Sequence, residues 1–274
     1  MGHNIRIDLA LSHGKSTAPG EDGITYQVVR ILNDDTCDGT NSIQSLFRTV
    51  YKEGALAWQW KFSIMIPVPK QDNSRFKPIS LTSCLCYVFE RILLNRLQYT
   101  LDGKLSDNLY GFVKGKSTKD CFMEFMNAEK SAGVTTFLDL QSAFDIANRS
   151  VILDHLATLG VKGTLLQLIR NYFSDRFSKV YYKGYLTPAP KVFELGTPQG
   201  GVLSPYLFNI LMDKLIRSIV FPNNKCIVIC YADDICIRAP NIHDMQIVLD
   251  QLSHLTKDLD LVICLKNEIS NPHQ

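Results

Sequence analysis

The sequence lacks most of the features that announce an environment. Its 274 residues contain no apolar run near the ~20 needed to span a bilayer. The opening stretch, MGHNIRIDLALSHG, has no long apolar region of the kind a signal peptide carries. Met1-Gly2 begins a myristoylation motif, but Arg6 stands where that motif wants Ser or Thr. An excess of one charge is missing too: 29 Lys and Arg against 27 Asp and Glu leave a formal +2. That is too mild to announce nucleic acid, and it is silent on whether the basic residues cluster. None of the eight cysteines forms a Cys-x-x-Cys pair. The closest groups, Cys84-x-Cys86 and Cys226, Cys230 and Cys236, have no His pair to complete a zinc site. They are expected as small buried hydrophobes in a reducing, intracellular compartment, nucleus or cytoplasm, with no membrane as partner. Two phosphate-loop look-alikes are also incomplete. Gly111-Phe112-Val113-Lys114-Gly115-Lys116-Ser117 has three residues between its glycines where that loop needs four, and Gly14-Lys15-Ser16 has no first glycine.

What remains is an ordinary globular composition, 46% hydrophobic and 20% charged, in a chain long enough for one large domain or two small ones. There is no repeat and no low-complexity tract. The first half reads as mainly helical, with segments at 24–32 and 42–51 and a long helix after Ser83 carrying Leu85, Phe89, Ile92, Leu93 and Leu97 at helical spacing. An extended piece, KFSIMIPVPK (61–70), interrupts it. In the second half, Val134–Leu138 signals a strand that ends at Asp139. Helices are expected at 143–159 and 164–173, then a hairpin of 180–182 with 192–195. Ser204-Pro205 opens another helix, and 242–255 is the last. Strands and helices interleave without a βαβ repeat, so the fold class is α+β. His155 and His254 fall on these helices and read as structural.

One stretch is chemically odd. VICYADDICIR (228–238) sets Asp233 and Asp234 between apolar runs of strand length. A carboxylate buried without a partner costs several kcal/mol, roughly, so a turn must expose the pair or a cation must neutralise it. The pattern predicts a hairpin with Ala232 and Asp233 at its tip, and taken alone it reads as a plain turn. Asn33-Asp34-Asp35, in the polar stretch NDDTCDGTN, is an equally acidic pair with nothing to neutralise. If the strand ending at Asp139 lies beside the hairpin, carboxylates from both meet at one sheet end and could hold two divalent cations for phosphoryl transfer. Mg²⁺ suits oxygen ligands and a phosphate-bearing substrate, with Mn²⁺ as its substitute. Lys70, Arg75 and Lys77 could meet the phosphates of a nucleoside triphosphate, although alone they read as a solvated loop. In Gly196-Thr197-Pro198-Gln199-Gly200-Gly201, glycines such as Gly200 allow close approach to a ligand and Gln199 offers donor and acceptor. A Pro-Gly-rich turn before a capped helix is the competing account, and Phe144 could be core.

The order of these blocks resembles a known family. FLDLQSAFD (137–145), LGTPQGGVLSPYLFNILMDKL (195–215) and YADD (231–234) look like the three palm motifs of reverse transcriptases. APGEDGITY (18–26), WKFSIMIPVPK (60–70), FKPISLTSCLCYVFERILLNRL (76–97) and YGFVKGKSTKD (110–120) resemble the fingers of non-LTR, LINE- or jockey-like retrotransposon enzymes. The resemblance implies a right-hand polymerase with fingers at 1–132 and palm at 133–274, an antiparallel sheet packed on helices and no thumb. It implies an RNA-directed DNA polymerase that adds dNTPs to a DNA primer on an RNA template, as a fragment of a polyprotein. Metal binding falls to Asp139 and Asp233, with Asp234 beside them and the Leu140 carbonyl as a further ligand. Phe144 falls at the gate against the ribose 2′-OH, Gln199 at the nucleotide-contacting glutamine and Lys70 at the fingers lysine. Lys77 and Lys116 replace usual arginines, Gly201 a usual serine, and Asn267 stands where a lysine is expected, with Lys266 beside it. A catalytically inactive remnant that binds nucleic acid is the rival reading, and a group II intron-type or other cellular reverse transcriptase shares the same palm.

Overall fold

The computed structural model describes residues 7–12, 18–34, 36–37, 40–69, 76–129, 132–198 and 200–264. The chain opens with α1 (Ile7–Ser12), α2 (Tyr26–Asp34), a short ladder of β1 (Thr36–Cys37) with β2 (Thr40–Asn41), and α3 (Ser42–Glu53). β3 (Phe62–Pro69), β4 (Phe76–Thr82), α4 (Cys84–Thr100), α5 (Thr118–Glu129) and β5 (Val134–Leu140) follow. Then come α6 (Ala143–Ile146), α7 (Arg149–Thr158), α8 (Gly163–Phe173), β6 (Arg176–Tyr182), β7 (Tyr185–Leu186) and β8 (Lys191–Phe193). α9 (Ser204–Ser218), β9 (Ile227–Tyr231), β10 (Asp234–Ala239), α10 (Ile242–Asp258) and β11 (Ile263–Cys264) close the described chain. The class is α+β.

These elements form two compact units that interleave along the sequence. The first takes the described residues of Met1–Leu101, Leu156–Glu194 and Pro198–Ser204, the second those of Asp102–His155, Leu195–Thr197 and Pro205–Gln274. The described residues of 102–132 thus fall in the second unit and 156–194 in the first.

In the first unit α4 is buried on nearly all sides, which is why its apolar residues exceed one stripe. Phe89 meets Phe47 and Trp60 at ring separations of 5.4 and 5.6 Å, an aromatic centre for α3 and α4. Caps fix α3: the Asn41 side chain accepts from the Gln44 amide, and Gly54 ends the helix in the left-handed region at φ 68°. The sheet runs β4-β3-β6-β7, with β8 also on β6. β4 had no strand signal, because Pro78 interrupts it. It is tolerated because β4 is an edge, where a missing N–H leaves no ladder bond unmade. Pro67 lies two residues past Met65, where the parallel pairing of β3 with β6 stops.

The second unit holds an antiparallel sheet of order β11-β5-β10-β9. One face is core: Val228, Cys230, Ile235, Ile237 and Leu140 are all at most 2% exposed. The single helix expected over 143–159 is two. It breaks at Ala147-Asn148, where the Ala147 carbonyl accepts from Gly196 and the Asn148 side chain accepts from the amides of Ser150 and Val151, starting α7 afresh. Elsewhere in this unit Asp213 on α9, wholly buried, accepts from the Ser106 amide at 2.6 Å and binds His155 and Arg217 at 2.7 and 2.8 Å. Burial would push this carboxyl up, but those donors hold it below the usual carboxylate range.

Candidate active site

The acidic pair sits at a hairpin tip, as its apolar flanks require. Tyr231 and Asp234 pair across β9 and β10, leaving Ala232 and Asp233 as the turn. Ala232 adopts a left-handed φ of 55°, a conformation that costs a non-glycine residue about 1 kcal/mol or more and must be held by its surroundings. The holding segment is Asn108–Gly111. Cys230 donates its amide to the Asn108 carbonyl at 2.8 Å, and its own carbonyl accepts from Tyr110 at 2.9 Å. Gly111 lies so close to the tip that a Cβ there would stand 2.5 Å from the Ala232 nitrogen. Asn209 on α9 donates to the Gly111 carbonyl at 2.6 Å. Gly111 therefore serves the acidic hairpin and no phosphate loop. Asn108, Gly111 and Asn209 have no signal in the sequence except Gly111, whose glycine marks a close backbone approach.

Asp139 and Asp234 are direct cross-strand partners in the β5–β10 register. Partners in an antiparallel pair point to the same face, so both carboxylates leave the core and look outward. Asp233 adjoins them at the tip. Leu140, the last residue of β5, is opposite Ile263 with its side chain buried. Burial, then the charges of Asp233 and Asp139, push the Asp234 carboxyl above the usual range. Among the described residues, no Lys, Arg or His forms an ion pair with any of the three. Among the described residues no three His, Cys, Asp or Glu side chains stand together as a ready-made metal site, so a cation here would rest on fewer protein ligands. An open row of unpaired carboxylates fits a hard cation such as Mg²⁺, which keeps waters and takes only one or two carboxylates besides substrate phosphates. By contrast Asp34, from the other acidic pair, is exposed at the end of α2, and Asp35 lies outside the described residues.

The face bearing Asp139 and Asp234 opens on a cavity of about 850 Å³, with Phe122 and Phe125 of α5, Phe137, Tyr231 and Ile229 among its lining. At the far end of that face Arg238, 6% exposed, binds Glu129, Thr135 and the Ala128 carbonyl, tying α5 to the sheet. Phe144 on α6 stacks on Phe208 with centroids 4.4 Å apart and meets Phe112 edge-on at 6.4 Å. Its carbonyl accepts from the Thr197 amide at 2.8 Å, so backbone and ring are both fixed.

In the first unit Gly200 has φ 106°, and a Cβ there would come within 2.8 Å of the Ser80 carbonyl, a packing reason for the glycine besides any ligand. Lys77 falls on β4, where the sequence read a loop, and its side chain lies outside the described residues. Lys70, Arg75, Gln199, Lys266 and Asn267 also lie outside them. Cys84, Cys86, Cys226 and Cys230 are buried, and none of the four forms a disulfide. Among the described residues no helix is long and apolar enough to cross a membrane.

Comparison with known proteins bears on this geometry. The profile of the family described as "Reverse transcriptase (RNA-dependent DNA polymerase)" matches residues 68–266. The "Retrovirus-related Pol polyprotein from type-1 retrotransposable element R2" of Popillia japonica is 24% identical over 86% of this chain and 34% of its own length. The "RNA-directed DNA polymerase from mobile element jockey" of Drosophila melanogaster is 26% identical over 72% of this chain and 22% of its own. The chain thus spans about a third or less of these relatives. Among solved structures, apo telomerase from Candida tropicalis truncated from its C-terminal domain superposes with a TM-score of 0.57 at 14% identity, covering 90% of this chain and 57% of that one. That likeness shows the fold, which is the fingers-and-palm fold of reverse transcriptases.

Proposed function

Because the chain belongs to the reverse transcriptase (RNA-dependent DNA polymerase) family, we propose that it forms the nucleotide-adding centre of a non-LTR retrotransposon polymerase, within a larger polyprotein. The register that sets Asp139 directly opposite Asp234, with Asp233 at the adjoining tip, carries this reading. The 3′ oxygen of a DNA primer, paired to an RNA template, attacks the α-phosphorus of a dNTP. The bond between that phosphorus and the oxygen bridging to the β-phosphate breaks, and pyrophosphate leaves.

The family depends in general on divalent metal. We assign Mg²⁺, replaceable by Mn²⁺, to Asp139, Asp233 and the Leu140 carbonyl, with Asp234 beside them. When bound, the metal supplies positive charge to the attacking and leaving oxygens. The carboxylates hold that charge in place on a rigid sheet. Phe144, clamped on Phe208, bars a ribose 2′-OH. Lys70, Arg75, Lys77, Gln199 and Gly200 are assigned to the incoming nucleotide, and fingers and palm to 1–132 and 133–274.

Primer extension on an RNA template with Mg²⁺ tests the assignment. Asp139→Asn and Asp233→Asn should each lower incorporation by roughly a hundredfold or more, the loss of a few kcal/mol of charge stabilisation. Full activity in both overturns it. Phe144→Ala should admit ribonucleotides, and RNA binding with no incorporation by the unaltered chain would favour the inactive, binding-only reading.

A further inference from the structure

The hairpin of β6 and β7 carries exposed rings to which the catalytic assignment gives no role. Every residue from Tyr181 to Glu194 is exposed. Tyr185 is 82% exposed and Tyr182 43%, large rings of a kind that ordinarily find cover. Lys183 and Gly184 form the turn with φ of 48° and 87°, the two-residue geometry whose twist suits a tight hairpin, so Tyr182 and Tyr185 pair directly across it. Cross-strand partners share a face. Phe76 on β4, itself 53% exposed, meets the Tyr182 ring edge-on at 6.0 Å. Phe76, Tyr182 and Tyr185 therefore make an open row of rings.

Along the stretch that carries the hairpin the charge is of one sign. Between Asp175 and Glu194 the chain has Arg176, Lys179, Lys183 and Lys191 and no acid. Arg176 is buried and Lys179 pairs with Glu21 at 2.9 Å, so Lys183 and Lys191 are the exposed cations of the stretch. Lys183 Nζ lies 5.3 Å over the Tyr182 ring. The cores of protein interfaces are depleted in lysine, whereas stacked bases want a ring and their phosphates want a cation. We propose that Phe76, Tyr182 and Tyr185, with Lys183 and Lys191, none of them assigned to catalysis, form a stacking platform for single-stranded RNA. The choice of RNA rests on the reading that the chain copies RNA.

Fluorescence anisotropy with a labelled twelve-nucleotide poly-U RNA, without dNTPs, tests the platform. Tyr182→Ala and Tyr185→Ala should each weaken binding by about fivefold to a hundredfold, while Tyr185→Phe stays near the unaltered chain. Tyr99→Ala removes an equally exposed ring at the end of α4 and should change nothing. Lys183→Ala with Lys191→Ala should flatten the salt dependence of binding. Unchanged RNA binding in the tyrosine variants overturns the proposal, and a shift of their sedimenting mass would then assign the face to a second copy of the chain. Equal loss on the matching DNA strand would overturn the choice of RNA. Binding is read without dNTPs and incorporation with them, so failure of the catalytic reading shows in incorporation and failure of the platform in binding.

Discussion

Gly201 stands where the family resemblance expects a serine, and its neighbours explain the exchange. A Cβ there would lie 2.6 Å from the Tyr172 hydroxyl and 2.8 Å from that of Ser204. Tyr172 is wholly buried and cannot swing away. Gly201→Ser should therefore cost about 1–3 kcal/mol in a urea melt, and Tyr172→Phe in the same chain should return part of it. The same cluster holds Glu90, 1% exposed, which accepts from the Leu203 amide at 3.0 Å, the Tyr172 hydroxyl at 3.4 Å and the Cys86 thiol at 3.5 Å. Burial pushes this carboxyl up against the pull of Arg176 and the Leu203 amide. A raised folded pKa means that the group's contribution is full below the unfolded value of 4.5 and is lost as pH rises through the folded one. Glu90→Gln has no such loss, so the variant should gain stability relative to the unaltered chain from about pH 4.5 upward. A flat difference across that range would show that Glu90 titrates normally. The meeting of Asp139 and Asp234 at one sheet end, with Asp233 at the tip, was legible in the sequence because strand-length apolar runs flank the acidic pair and end at Asp139. Glu90 was not, since it lies on a helix read for its apolar stripe, and nothing local distinguishes a buried glutamate from a solvated one.

At the scale of elements, the acidic hairpin depends on a neighbouring loop. Gly111→Ala would drive a methyl group into the Ala232 amide and displace the tip that carries Asp233. A shift near 1 Å at a reacting centre costs on the order of a hundredfold in rate, so primer extension should fall by about that much while circular dichroism stays unchanged. Unaltered extension would mean that the tip is held by Asn108 and Tyr110 alone. Period and composition revealed β3, β5, β9, β10 and α3, α4, α8, α9 and α10, each apolar at regular spacing, but not α5. They failed where the reason for an element is tertiary. β4 is permitted only as an edge, and the break between α6 and α7 needs the Gly196 amide. The hairpin expected between 180–182 and 192–195 is instead β6 with β7, while Val192 pairs with Phe177. The Lys183-Gly184 turn sets that register, and a tight turn outweighs two matching apolar runs.

At the scale of the whole chain, sequence motifs and folding units part company. The motifs run in linear order, which is why they could be read as blocks, but the first unit is assembled from segments separated by the beginning of the second. β3 takes β6 as its parallel neighbour, and Glu90 takes Tyr172, both from beyond residue 155. A fragment of 1–132 would therefore leave β3 with β4 alone and strand a buried carboxylate without Tyr172 or Arg176. Such a carboxylate costs several kcal/mol, roughly, a large part of the ~5–15 kcal/mol that stabilises a domain. Residues 1–132 should consequently melt without a cooperative transition, whereas 1–204, which contains every segment of the first unit, should retain one. Thermal unfolding followed by near-ultraviolet circular dichroism distinguishes the two, with Trp60 and Phe89 of the aromatic centre as reporters. A cooperative melt from 1–132 would mean that α3, α4 and the β3–β4 pair suffice. In that case the parallel pairing with β6 adds little, and Glu90 must ionise toward water in the shorter chain.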